Sequence, residues 1–333
     1  MRKHWTAASL VGPCVLAGLC AIAACSSSPA TTHPGDPSSP ADTPATLSAT
    51  GRAPAASSAP ARPATGQAGG AVPAAPAAPR VTVTRMRTAD GSVVIVATFS
   101  GPVTYVLHNG SEDPGAAAGR VKAGPVVVGP ERKRLLAAFN GGFKLSAGVG
   151  GYEQEGHVAS ALQPGLASLV IDRSGQARMG VWGRGVPAPG EAVYSVRQNL
   201  TPLVMNGKPT AAAADPGLWG ATLGGGEYVA RSALGQDASG DLIYAASMST
   251  TPADLAFVLA YAGARTAMEL DINPEWVQLD VASHPGGSLR TSVPGQYRPA
   301  DQYLTGWARD FITVLAPLPP AAATAPPDRR IRP

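Results

Sequence analysis

A series of Asp-Gly, Asn-Gly and Ser-Gly dipeptides divides much of this chain into short β-prone runs, and that punctuation limits the folds open to it. Asp90-Gly91 separates Val81-Thr82-Val83-Thr84 from Val93-Val94-Ile95-Val96, and Asn109-Gly110 follows Val103 to Leu107. Ser174-Gly175 separates Leu169-Val170-Ile171 from Met179-Gly180-Val181, and Asn206-Gly207 closes Leu203-Val204-Met205. Ser239-Gly240 lies between Tyr228-Val229-Ala230 and Leu242-Ile243-Tyr244. These dipeptides supply the positive φ angles that tight β-turns need, so most of them should close antiparallel hairpins. One helix stands out: Thr251 is suited to the N-cap, Pro252 to the first helical position, and Asp254 completes a capping box. Leu255, Val258, Leu259 and Ala262 then share a face, and Gly263 ends the helix. Ala267 to Asp271 and Trp276 to Val281 read as strands, and a weaker helix is expected from Glu131 to Ala138. Many hairpins and few helices predict a single α+β domain of antiparallel and mixed sheet, not a doubly wound α/β sheet.

That domain should occupy residues 80–318. The segment before it, 25–79, is built almost wholly of Ala, Pro, Ser, Thr and Gly. It has too little apolar surface to offset chain entropy and reads as a disordered tether, and the tail over 319–333 reads the same way. At the start, Arg2 and Lys3 precede an apolar run from Ala7 to Ala24 that ends Ile22-Ala23-Ala24-Cys25. This is the pattern of a bacterial lipoprotein signal over residues 1–24 with Cys25 as the lipidated residue; a plain secretory signal or an uncleaved anchor is the alternative. The expected product is exported and anchored by lipid on the extracytoplasmic face of a membrane, or secreted. Cys14 and Cys20 fall inside the signal, so the mature chain would have no disulfide. Without Arg2 and Lys3 the formal net charge of +4 falls to +2, with no Lys/Arg cluster, which argues against a nucleic-acid partner. A monomer is expected.

Generic catalytic signatures are missing. The chain has no GxSxG elbow, no HExxH helix and no P-loop. His4, His33, His108, His157 and His284 stand nowhere at metal-ligand spacing, so no metal site is expected. His108 abuts a turn and should be solvated, while His157 and His284 remain acid–base candidates. The glycine clusters at Gly148-Val149-Gly150-Gly151 and Gly224-Gly225-Gly226 read as flexible loops.

Four segments, in order, carry a more specific signal. They are Ala138-Phe139-Asn140-Gly141-Gly142-Phe143, Leu203 to Lys208, Arg231-Ser232-Ala233-Leu234-Gly235, and Thr251 through Asp271 with the acidic turn after it. Together they resemble the phosphodiester glycosidase family over about Ala117 to Pro317. The resemblance implies a glycosidase acting on a sugar phosphodiester, with sites at Asn140, Gly141, Gly142, Arg231 and Asp271. The family usually follows that aspartate with Gly-Gly-Gly-Ser; here Ile272, Asn273, Pro274 and Glu275 stand instead, and Pro274 has no N–H to offer a phosphate.

The residue types suit such chemistry. A guanidinium at Arg231 can grip two phosphate oxygens. Asp271 and Glu275, four residues apart across a turn, offer the two carboxyl groups that glycosidic cleavage commonly uses. Asn140 is expected to orient sugar hydroxyls, Gly141 and Gly142 to let backbone approach the ligand, and Asn273 to replace the lost glycine contacts. Plainer readings stand beside these: a hairpin turn at Asn140-Gly141-Gly142, a surface Arg231, a turn-forming Asp271, a solvated Glu275, and core roles for Trp276 and Trp307. The expected function is hydrolysis of a glycosidic bond to a phosphodiester or related phosphorylated envelope glycan. The alternative is a non-catalytic surface module that binds anionic glycans.

Overall fold

The computed structural model describes residues 78–220 and 226–318. The expected signal, Cys25, nearly all of the tether, the Gly224-Gly225 pair and the tail lie outside the described residues. Among the described residues no helix is long and apolar enough to cross a membrane.

The fold is α+β. A seven-stranded sheet runs in the order Arg80–Arg87, Val93–Ser100, Leu242–Thr250, Val229–Gln236, Thr266–Glu269, Val204–Met205, Lys208–Pro209. A five-stranded sheet runs Leu289–Thr291, Leu279–Ala282, Leu135–Asn140, Phe311–Leu315, Thr104–His108, and a six-stranded sheet lies between Tyr152 and Val186 in sequence, joined by Ser195–Gln198. Within the three sheets the pairings are antiparallel apart from a short parallel contact of Val181 and Trp182 with Gly185 and Val186, and isolated parallel bridges join Gly110 to Pro114 and Asp113 to Arg309.

Hairpin punctuation translates directly into structure at four of the turns. Arg87 pairs with Val93 around Asp90-Gly91, and Ile171 with Ala177 around Ser174-Gly175. Gln236 pairs with Leu242 around Ser239-Gly240, and Met205 pairs with Lys208. In the last of these Asn206 and Gly207 have φ of 53° and 77°, the two left-handed positions a two-residue turn demands. Asn109-Gly110 behaves differently. The Thr104–His108 strand before it pairs with Phe311–Leu315, and a Cβ at Gly110 would stand 2.3 Å from the Ala308 carbonyl oxygen. That glycine permits a close backbone approach and does not turn a hairpin.

The central sheet separates two layers, and its alternation shows which faces which. Val94, Val96, Ile243 and Ala245 pack with Leu255, Val258 and Leu259 of the helix Pro252–Tyr261. Their neighbours Ile95, Ala97, Leu242 and Tyr244 pack with Phe139, Leu279 and Ile312 of the five-stranded sheet. The helix starts as its sequence dictates: Thr251 accepts from the Asp254 N–H and the Asp254 side chain returns the contact.

Three expectations need correction. The weak helix over Glu131 to Ala138 is a single turn, Gly129–Arg132, followed by a strand, Leu135–Asn140, whose six residues are all buried. Leu-Leu-Ala-Ala-Phe has helical propensity, but a strand between two neighbours also needs a continuous apolar run, and tertiary burial decides. The strand expected from Trp276 begins only at Leu279, because the Trp276 and Val277 N–H groups donate to Asn273 O in a turn. His108 is buried, not solvated. Its ring stacks on Phe311 at 4.4 Å, Nδ1 lies 2.8 Å from Gly124 O, and Nε2 lies 2.7 Å from Glu131 Oε1. Burial works against ionisation of Glu131, yet the His108 contact holds its carboxyl below the ordinary value.

Candidate active site

The sheets meet where the strand Leu135–Asn140 ends and the strand Phe311–Leu315 begins. Asn140 is opposite Phe311 in the register, so Arg309 and Asp310 arrive beside Gly141 and Gly142. From the central sheet, the chain leaving Thr266–Glu269 brings in Asp271. Ser232 fixes that approach: its N–H donates to Asp271 O at 2.9 Å, and its Oγ accepts the Asp271 N–H at 3.1 Å.

Asp271 sits at the floor of an open cleft of about 740 Å³, with Phe143, Lys144, Asn273, Trp276 and Arg309 among its walls. Its side chain is held on both oxygens. Oδ1 accepts the Asn273 N–H at 2.9 Å, and Oδ2 lies 3.3 Å from Arg309 Nη2. Burial pushes this carboxyl up to about 6, against the pull of Arg309 and the Asn273 N–H, with nearby Asp310 adding to the rise. A carboxyl poised there can exchange a proton near neutral pH. Arg309 also reaches Asp113 Oδ2 at 3.2 Å, donates from Nη2 to Gly142 O at 2.9 Å, and lies over the Trp276 ring at 5.3 Å. Lys144 is an exposed cation at the rim.

Beneath the cleft lies a fully buried ion pair. Arg197 Nε donates to Asp310 Oδ2 at 2.7 Å, and the same guanidinium donates to Gln198 O and Phe143 O. Both side chains are 1% exposed. This pair explains the two glycines. A Cβ at Gly141 would stand 2.0 Å from Asp310 Oδ2, and one at Gly142 would stand 2.9 Å from the Arg197 guanidinium. They make room for the ion pair, where the expectation had them approached by ligand.

The other expected residues are placed as follows. Asn273 lines the cleft, and its Oδ1 accepts the Glu275 N–H at 3.0 Å. Asn140 is buried with its amide fully used: Nδ2 donates to Ser232 Oγ and Gly141 O, and Oδ1 accepts from Tyr244 Oη and the Gln278 N–H. It ties the sheets together, and holding a sugar hydroxyl directly would require breaking one of those bonds. Arg231 is neither on the surface nor in the cleft wall. Nη1 pairs with Glu269 Oε1 at 2.8 Å and donates to Trp219 O, on the helix side of the sheet, with both ion-pair side chains at most 1% exposed. Glu275 turns outward, 44% exposed, and pairs with Arg298, which lies over Trp276 and Trp307. The structure therefore brings Asp271 and Asn273 into one cleft and leaves Arg231 and Glu275 outside its walls. His157 and His284 are exposed elsewhere.

Sequence reasoning passed over Arg309, Asp310, Arg197, Asp113 and Lys144. One signal was present at Arg309-Asp310, two opposite charges immediately before the apolar run Phe311-Ile312-Thr313-Val314-Leu315. Arg197, in a short strand buried along its whole length, had none.

The buried carboxyls also set how stability should respond to pH. Asp280 accepts from Gln296 Nε2 and Gln278 Nε2 and has no cation partner among the described residues. Burial raises it from 3.8 to about 7. Between those values the folded state binds more protons than the unfolded one, so stability rises on acidification and is lost as pH climbs. Asp271 acts in the same direction over a window ending near 6. Each contributes at most ~1.4 kcal/mol per pH unit inside its window. Urea denaturation should therefore give a higher midpoint at about pH 5.5 than at about pH 7.5, and a midpoint that rises toward alkali would contradict these assignments.

No family model and no curated protein matches the chain. Among solved structures, the catalytic domain of zebrafish N-acetylglucosamine-1-phosphodiester alpha-N-acetylglucosaminidase, auto-inhibited by its pro-peptide, is similar at 15% identity and a TM-score of 0.45. That match covers 72% of this chain and 83% of the other. A hypothetical protein from Synechocystis is similar at 13% identity and a TM-score of 0.43, over 72% of this chain and 62% of its own. Identities this low and TM-scores under 0.5 leave the site to be read from its own residues.

Proposed function

We propose that the domain from about Arg80 to Leu318 hydrolyses a glycosidic bond in a phosphodiester-linked or otherwise phosphorylated glycan, with Asp271 carrying the proton. The observation behind this is one constellation: a buried carboxyl raised to about 6 opens onto a cleft that is also lined by a guanidinium, an exposed ammonium and an indole. The carboxyl suits proton transfer to a leaving oxygen, Arg309 and Lys144 suit an anionic substituent, and Trp276 with Asn273 suits a sugar. The motif resemblance carried by Asn140-Gly141-Gly142, Arg231 and Asp271 points to the same chemistry. In this reading Arg231 and Asn140 support the floor, and Glu275 is a rim residue paired with Arg298. We further propose that the chain is exported and lipidated at Cys25; mass spectrometry of the mature N-terminus tests it, and an unmodified peptide starting elsewhere removes the lipid.

Incubating the purified protein with sugar-1-phosphodiesters and envelope polymers should release a reducing sugar. Saturable binding without turnover would instead support a glycan-binding module. One observation favours that second reading: Glu275 faces outward, so Asp271 lacks the carboxylate partner expected for it.

A further inference from the structure

Arg309 is a single guanidinium shared by two carboxylates. Asp271 Oδ2 is 3.3 Å from Nη2, Asp113 Oδ2 is 3.2 Å from Nε, and Gly142 O takes a third contact. The other charges facing Asp271 are already spoken for. Asp310 is paired with Arg197, and Glu269 is paired with Arg231 through Oε1 only, burial and the nearby Asp271 charge pushing Glu269 up to about 8 despite that pair. Lys144 stands exposed at the rim. Outside those two pairs, Arg309 at the floor and Lys144 at the rim balance Asp271 and Asp113, and an arriving monoanion would leave one negative charge uncompensated beside a buried carboxylate.

We propose that Arg309 is the anchor for a phosphodiester monoanion, and that seating the anion draws Arg309 from Asp271, which takes up one proton from solvent. This rests on the reading of the cleft as a site for phosphorylated glycans and assigns its anion contact. Asp271 is the acceptor on geometric grounds. It is the more buried of Arg309's two partners, whereas Asp113 keeps 19% of its side chain exposed and also accepts the Leu145 N–H. Removing the guanidinium takes away the strongest influence that holds Asp271 ionised against burial. The proton ends on Asp271, no bond within the ligand changes, and the anion–Arg309 contact replaces the Asp271–Arg309 contact. Binding then leaves Asp271 in its acid form facing the ligand, so above about pH 6 the general acid is armed by the arriving anion.

Linkage makes this measurable without turnover. The probe is dimethyl phosphate, a phosphodiester that stays a monoanion across the useful range, titrated calorimetrically into the full chain in two buffers of different ionisation heat. The expected result is uptake approaching one proton per anion near neutral pH and about tenfold tighter binding at about pH 6 than at about pH 7.5. Asp271→Asn should bind without proton uptake and with the same affinity at both values. Arg309→Lys should lose about tenfold or more in affinity, because a lysine cannot hold the phosphate in two places. If that variant misfolds by circular dichroism, the comparison of the unaltered protein with Asp271→Asn decides. Absence of binding, pH-independent binding with no uptake, or uptake that survives in Asp271→Asn each overturns the proposal. Coupled binding without sugar release would overturn the hydrolytic reading alone, and sugar release without coupling would overturn this one alone.

Discussion

Asp310→Ala is expected to cost the domain about 3–5 kcal/mol, the range for stripping one partner from a buried ion pair. That is a large share of the roughly 5–15 kcal/mol that holds a typical domain folded. The effect comes less from a lost attraction than from what remains. Arg197 would stay buried with its charge, retaining the carbonyls of Phe143 and Gln198 and the Tyr152 ring but no carboxylate contact. Urea denaturation of the variant gives the number, and a loss below about 1 kcal/mol would show that Arg197 finds solvent or another partner. The double variant Arg197→Met/Asp310→Leu should recover much of the stability, since an apolar pair of similar bulk removes both desolvation penalties. Gly141→Ala should resemble Asp310→Ala, because its methyl group would occupy the place of Asp310 Oδ2.

Asp271→Asn should lower turnover on a verified substrate by roughly a hundredfold or more while leaving the fold intact. The amide keeps an oxygen to accept the Asn273 N–H, and Arg309 keeps Asp113, so neither neighbour is stranded. The loss should fall on kcat, as expected for a group that acts in the transition state. Full turnover in this variant would remove Asp271 from the mechanism. Glu275→Gln separates the sequence expectation from the structural reading. Facing Arg298 in solvent, Glu275 should matter little, and a loss comparable with that of Asp271→Asn would restore it to the chemistry.

What the sequence made legible was what local pattern controls. Turn dipeptides located hairpins because positive φ is a property of two residues. The capping box at Thr251 and Asp254 located a helix because its partners lie three residues apart. Asp271 and Asn140 were legible as motif residues, and both do stand at the cleft or beneath it. Roles were harder. Arg197 and Asp310 are separated by 113 positions, and Arg309 and Asp271 by 38, so nothing in a local window announces either pair. Arg231 carries the same side chain as Arg309 and both are buried, so only their partners and their place in the fold distinguish a cation spent on Glu269 from one that lines a cleft. The run from Leu135 to Phe139 shows the remaining difficulty: an unbroken apolar segment fits a buried strand and a buried helix equally well.

Asn140 has a consequence for how this molecule would fail. It belongs to the five-stranded sheet, yet its amide is gripped by Ser232 and Tyr244 of the central sheet, and Ser232 in turn holds the backbone of Asp271. The cleft floor is therefore a seam, present only while two sheets stay docked. A fluctuation that parts them by a few ångströms erases the site and melts no strand. Damage along this seam, even far from the ligand, would be felt first as silence in a binding assay, with the β-sheet signal still intact.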